Sequence, residues 1–251
     1  MRPAFVNRMS ALVRARNPEL FGWVREWHRQ AAAWRYGDDL VGLATFFGTD
    51  KWGAHWYAEI YASHFARLRD RPINLLEIGV GGYEVPQSGG ASLRMWKAYF
   101  PHGHIHGVDI YDKSPIEEPR IRVFRGSQSD EKFLAGVWES IGRVDIVIDD
   151  GSHDNDRTIA TFKIAFPMLS DGGYYAIEDV ETSYLPEYGG HAGADDDPNT
   201  IIGFFKTLAV AVQGRPGAAA EPWRRRIRAM HFHRDLIIIE KGDPDGPQVP
   251  R

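Results

Sequence analysis

From residue 73 onward the chain alternates between short apolar runs and helical segments, and few folds accept that rhythm. Ile73–Ile78, His104–Asp109, Ile121–Phe124, Val144–Asp149 and Tyr174–Glu178 are rich in branched or aromatic residues and read as buried strands. Ser92–Tyr99, Asp130–Ile141 and Asp154–Leu169 lie between most of them and read as helices. The alternation predicts an α/β fold, a parallel sheet with helices on both faces. Two further strands, Ile227–His233 and Leu236–Glu240, are separated only by Arg234-Asp235. That spacing predicts a hairpin, which places the final strand antiparallel in a seven-stranded sheet.

The 251 residues suffice for one such domain and a small appendage. Between Glu19 and Arg35, Leu20, Trp23, Val24, Trp27 and Ala31 recur at helical spacing. The expected division is therefore a helical arm over 1–40 and the main domain over 41–251. The arm can pack on its own domain, cover a site or join a second subunit, and its two tryptophans favour the subunit contact. There is no cysteine, which excludes disulfides, thiolate metal sites and cysteine nucleophiles. A net charge of −4 gives no general drive toward nucleic acid or anionic membrane. No apolar run is long enough to span a bilayer. The first twenty residues carry scattered arginines and no continuous apolar core, so no secretory leader is expected and the cytoplasm is the default compartment. Low complexity is confined to the Gly-Ala-Pro stretch 214–222 and the Pro-rich tail after Lys241. The basic cluster Trp223–Arg228 reads as exposed arginines at the entry to a buried strand, in preference to a phosphate-binding patch.

In open α/β sheets ligands bind beyond the carboxyl ends of the strands, and the unusual polar residues here fall at those ends. Strand one runs into Glu77-Ile78-Gly79-Val80-Gly81-Gly82-Tyr83, a turn whose glycines let the backbone bend sharply and approach a ligand. A glycine-rich turn is shared by many nucleotide binders; Glu77 before it is more distinctive. Asp109 ends strand two, where a carboxylate can accept from both ribose hydroxyls. Gln128 follows strand three, where it can read an adenine edge, and Asp130 doubles as a helix N-cap. Strand four ends in Asp149-Asp150-Gly151-Ser152-His153 and strand five in Glu178-Asp179. Four carboxylates at adjacent strand ends repel one another, and a hard divalent cation, Mg²⁺ above all, relieves the repulsion. His153 is a base suited to neutral pH, able to take the proton of a metal-bound hydroxyl that then attacks a sulfonium methyl. Five parallel strands followed by a hairpin is the layout of class I methyltransferases, whereas Rossmann dehydrogenases usually continue with a sixth parallel strand.

These residues carry a resemblance. Gly48-Thr49-Asp50-Lys51-Trp52-Gly53 with His55-Trp56-Tyr57, Leu76–Tyr83, Gly90–Trp96, Gly107–Ile110, Gln128-Ser129-Asp130, Ile148–His153 and Ile177-Glu178-Asp179 with Thr182-Ser183-Tyr184 occur in order over more than half the chain. In them the chain resembles the metal-dependent, S-adenosylmethionine-dependent sugar O-methyltransferases of macrolide biosynthesis. It also resembles their relatives that methylate rhamnosyl or mannosyl groups of glycolipids and polysaccharides. The resemblance implies Mg²⁺ ligands at Asp150, Glu178 and Asp179, with His153 as general base and Asp150 sharing the catalytic role. It implies S-adenosylmethionine contacts at Thr49, Tyr57, Glu77, Gly79, Gly81, Tyr83, Asp109, Gln128 and Asp149. A carbohydrate or glycoside acceptor and a compact homodimer are the partners expected, with Tyr184–Pro198 as a lid over the acceptor.

The acceptor divides into two readings: a mannose- or rhamnose-containing oligosaccharide, polysaccharide or glycolipid, and a deoxysugar on a macrolide or other polyketide. Shortness favours the first. An NAD-dependent oxidoreductase on the same turn leaves the acid and histidine cluster unexplained, and a non-catalytic sugar binder leaves it without purpose. An iron hydroxylase would require a second histidine beside His153.

Overall fold

The computed structural model describes residues 17–212 and 222–242. Seven strands form one sheet: β1 (Asn74–Ile78), β2 (His104–Asp109), β3 (Ile121–Arg125), β4 (Ile146–Asp149), β5 (Tyr174–Glu178), β6 (Ile227–His233) and β7 (Leu236–Lys241). Their order is β3-β2-β1-β4-β5-β7-β6. The first five pair in parallel, and β7 runs antiparallel between β5 and β6. The hairpin turns at Arg234-Asp235, where Asp235 takes a left-handed φ of 59°. The expected strands are all present and differ only at their ends.

Among the described residues seven α-helices accompany them: α1 (Pro18–Tyr36), α2 (Leu40–Phe47), α3 (Tyr57–Phe65), α4 (Ala91–Tyr99), α5 (Glu131–Ile141), α6 (Asn155–Met168) and α7 (Ile201–Val212). Because side chains alternate along a strand, each strand feeds two cores. On one face Leu75, Ile105, Ile148, Ala176 and Ile238 meet Leu43, Tyr61, Phe65 and Trp96 from α2, α3 and α4. On the other face Leu76, Val147, Tyr175, Ile177 and Ile239 meet Leu134, Phe162, Phe166 and Phe205 from α5, α6 and α7. Three of these helices start on aspartate caps, α2 on Asp39, which accepts from the Gly42 N–H at 2.9 Å, α5 on Asp130 and α6 on Asp154. Asp130 accepts from the Phe133 N–H and Asp154 from the Arg157 N–H, both at 3.1 Å, each worth about 1 kcal/mol. The helix-cap reading of Asp130 is the one realised.

Helix α1 lies on its own domain through one edge. Ala32 is buried, and Arg29 reaches Glu118 at 2.7 Å, an acid that Lys97 of α4 also pairs with at 2.9 Å. Its other face leaves Leu20, Trp23, Val24 and Trp27 exposed, Trp23 to 78%. Three of the four arginines of the basic cluster are engaged locally: Arg226 pairs with Asp171, Arg228 with Glu240, and Arg224 lies over the Trp223 ring, which packs on Phe162 and Phe166. Among the described residues no helix is long and apolar enough to cross a membrane. The expectation of no leader in the first residues lies largely outside the described residues, as do those for the stretch 214–222 and the Pro-rich tail.

Candidate active site

The strand ends gather acids around a cation that lies far away in sequence. Glu77, Asp150 and Glu178 share the parity of Leu75, Ile148 and Ala176, so they project to the α2–α4 face. Into their midst comes Lys51, from the loop between α2 and α3. Its Nζ lies 2.7 Å from Glu178 Oε1, 2.8 Å from Asp150 Oδ2 and 3.2 Å from Glu77 Oε1, and the side chain has no exposure. Thr49 fixes this delivery. Its hydroxyl accepts from the Lys51 N–H at 3.0 Å, just after Gly48 ends α2 in a left-handed conformation. Tyr61 of α3 donates to Glu178 Oε1 at 2.6 Å. Burial would discharge the ammonium, but the three carboxylates outweigh it and raise Lys51 well above its ordinary value. Burial pushes Glu77 up to about 7, against the pull of Lys51. Burial, with Asp150 beside it, also raises Glu178.

Asp179 and His153 face each other across the mouth of this cluster. His153 Nε2 is 3.6 Å from Asp179 Oδ2 and 3.8 Å from Asp150 Oδ1, and all three side chains are about one-fifth exposed. One donor atom from each of Asp150, His153 and Asp179 falls within 4.8 Å of the others, a spacing that can hold a metal ion. Three acids, Glu77, Asp150 and Glu178, thus share the Lys51 ammonium while Asp179 stands at the mouth beside His153, and a divalent cation suits the excess of acid. Both His153 and Asp179 adopt left-handed backbone, with φ of 55° and 53°. Such conformations cost a non-glycine residue about 1–3 kcal/mol and gather at functional sites. Tyr57 pins the Asp179 corner: its hydroxyl is 2.9 Å from Asp179 Oδ1 and 3.0 Å from the Asp235 carbonyl, and it accepts from the Asp179 N–H at 3.3 Å. Burial and the Asp179 charge raise the phenol well above its ordinary value.

The glycine turn lies alongside. At Gly79, φ is 85° and an added Cβ would fall 1.9 Å from the Asp150 carbonyl oxygen, so only glycine serves. A Cβ on Gly81 would meet nothing within 4 Å, so that part of the turn borders open space. Tyr83 is 80% exposed beside it. Asp109 ties the turn to β2, its Oδ2 accepting from the Val80 N–H at 3.1 Å and its Oδ1 from the Tyr111 N–H at 2.9 Å.

Gln128 and Asp149 are arranged differently from the sequence expectation. Asp149 shares the parity of Val147 and projects to the opposite face, where Tyr175 donates to it at 3.1 Å and Gln128 at 3.2 Å. Burial there, together with the Asp150 charge, raises it to about 7, against the pull of the Tyr175 hydroxyl. The four carboxylates that converge are therefore Glu77, Asp150, Glu178 and Asp179, with Glu77 in the place expected of Asp149. Gln128 spends its amide inside the protein, donating to Asp149 and Thr161 and accepting from the Ser152 N–H at 2.8 Å. The expected lid is a chain of short 3₁₀ turns rather than a plain loop. Asn155 donates to the Tyr188 carbonyl at 2.8 Å, and Gly190 sits so close to Ser183 that a Cβ would strike its carbonyl. Tyr188 brings its ring to 6.3 Å from that of His153.

Sequence reasoning named Lys51 only within the segment Gly48–Gly53 that carries the resemblance and did not assign it the role of buried counter-ion. It left Tyr61 out. The readable signal was an excess of acids at strand ends with no lysine or arginine adjacent to them in sequence.

No protein-family model matches the chain. It is 46% identical over 207 residues to the 8-demethyl-8-alpha-L-rhamnosyl tetracenomycin-C 2'-O-methyltransferase of Streptomyces olivaceus, covering 80% of this chain and 54% of that protein. It is 41% identical over 218 residues to the mycinamicin VI 2''-O-methyltransferase of Micromonospora griseorubida, covering 84% and 55%. A solved structure of the MycE methyltransferase of mycinamycin biosynthesis, in complex with Mg, SAH and mycinamycin VI, superposes with a TM-score of 0.78 at 41% identity. That match covers 84% of this chain and 57% of the other. The chain thus spans little more than half the length of the relatives it matches. Over that span it is a homologue of the sugar O-methyltransferases and has the class I methyltransferase fold.

Proposed function

We propose that this chain transfers a methyl group from S-adenosylmethionine to a sugar hydroxyl with the help of Mg²⁺. The observation that carries the reading is His153 set between Asp150 and Asp179 at the strand ends, beside a glycine turn, in a chain homologous to sugar O-methyltransferases. Asp150 and Asp179 would hold the metal, with Glu178 joined to Asp150 through Lys51. Bound there, Mg²⁺ makes a coordinated hydroxyl more acidic and orients it. His153 takes the hydroxyl proton. The oxygen then bonds to the methyl carbon while the carbon–sulfur bond breaks and its electron pair returns to sulfur, leaving S-adenosylhomocysteine. Gly79, Gly81, Tyr83 and Asp109 would line the cofactor. Thr49, Tyr57 and Glu77 support it through the Lys51 loop and the Asp179 corner, and Gln128 and Asp149 brace the floor.

For the acceptor, the relatives' names favour a sugar on a polyketide-type aglycone over a polysaccharide, and a rhamnosyl group satisfies both earlier readings. The exposed stripe Leu20, Trp23, Val24 and Trp27 supports a homodimer through α1. Calorimetric titration with S-adenosylhomocysteine, with and without Mg²⁺ and with NAD as control, tests the class. Binding of the homocysteine product, followed by methyl transfer to rhamnosides, is the expected outcome. Binding of NAD alone would overturn the reading.

A further inference from the structure

Three histidines meet outside the acid cluster. His64 lies on α3, and His231 and His233 stand two apart on β6 and so share one face of that edge strand. The His64 ring centroid is 4.5 Å from that of His231 and 5.6 Å from that of His233. Nε2 of His64 is 3.4 Å from Nε2 of His233. That is long for a hydrogen bond between nitrogens. It is close to the separation of about 3.3–3.4 Å that two imidazole nitrogens take when each lies about 2.0–2.1 Å from one tetrahedral zinc ion.

We infer that His64, His231 and His233 form a second metal site, for a borderline divalent cation such as Zn²⁺. Imidazole ligands select such ions over Mg²⁺, which demands oxygen. Closure about the ion requires His231 to turn its ring toward the other two, a side-chain rotation at a half-exposed strand edge. His233 is exposed, which leaves the ion an entry path. The site joins α3 to the β6–β7 hairpin, the two elements that Tyr57 also links through the Asp235 carbonyl. An ion there clamps the helix that carries Tyr57 and Tyr61.

The test is calorimetric titration of the full chain with Zn²⁺ in excess Mg²⁺, repeated on His64→Gln, His231→Ala, His233→Ala and His153→Ala. One equivalent of Zn²⁺ should bind, weakened about tenfold or more by each of the first three changes and not by the last. Co²⁺ in place of Zn²⁺ should give the strong visible bands of a tetrahedral nitrogen site, lost in His233→Ala, whose exposed side chain can be removed without disturbing the core. Zn²⁺ binding that is absent, that survives His233→Ala and His231→Ala unchanged, or that vanishes with His153→Ala would overturn the inference.

Discussion

Replacing Lys51 by methionine keeps the length and apolar stem of the side chain and deletes its ammonium. In the native protein that ammonium lies 2.7 Å from Glu178, 2.8 Å from Asp150 and 3.2 Å from Glu77, with no exposure to water. Removing one partner of a buried ion pair costs about 3–5 kcal/mol, because the charge left behind is neither paired nor hydrated. The stranded acids can escape by taking up protons, and burial already favours this in Glu178, raised well above its ordinary value, and in Glu77, held up at about 7. The sign follows from linkage. A carboxyl whose folded value is raised favours the folded state fully below its unfolded value of 4.5, and that contribution is lost as pH rises through about 7. Lys51 works at the other end of the scale. Its raised value keeps its contribution whole below the unfolded 10.5, and it is lost only as pH rises through the still higher folded value. The Lys51→Met deficit should therefore be largest near pH 8 and smaller near pH 5, by about 1–2 kcal/mol. Urea unfolding of both proteins in chelator, so that no divalent cation substitutes for the ammonium, measures this directly. A deficit below about 1 kcal/mol near pH 8, or one that grows on acidification, would refute the role of Lys51 as counter-ion.

His153→Ala should lower methyl transfer by about 10²–10⁴-fold and leave S-adenosylhomocysteine affinity nearly intact, read by steady-state kinetics beside calorimetry. Asp179→Ala should abolish the dependence of turnover on Mg²⁺ together with activity, in a metal titration of the assay. Gly79→Ala drives a methyl into the Asp150 carbonyl and should cost about 2–4 kcal/mol, read as a drop in Tm. Trp23→Glu with Trp27→Glu, on the exposed face of α1, should convert a dimer into monomer in sedimentation equilibrium while the domain stays folded.

The strands were legible because each is a short branched run closed by a polar end, and their placement in the structure differs by no more than two residues at any end. Helices α2, α3 and α7 were not. Leu40–Phe47 and Ile201–Val212 are apolar nearly all round, so a 3.6-residue stripe has no polar face to contrast with. Tyr57–Phe65 is short and mixes aromatics with small residues. Of the site, Asp150, His153 and Asp179 were visible as a string at two strand ends, and the structure brings them together. The inward turn of Gln128 was not, because it depends on Thr161 and Ser152, 33 and 24 residues away. Lys51 was hidden for the same reason at greater range: its two nearest partners, Asp150 and Glu178, lie 99 and 127 residues downstream, and no local pattern announces them.

The insertion of β7 between β5 and β6 sets an order of assembly during synthesis. Until residues 236–241 leave the ribosome, β5 is an open edge whose five residues are all buried in the finished protein. An apolar edge of that kind invites pairing with other nascent chains. The same late segment brings the Asp235 carbonyl that Tyr57 reaches, so the Asp179 corner is completed only then. A ribosome-stalled chain ending before residue 236 should already hold the parallel half of the sheet, yet lack a finished Asp179 corner and need a chaperone's cover.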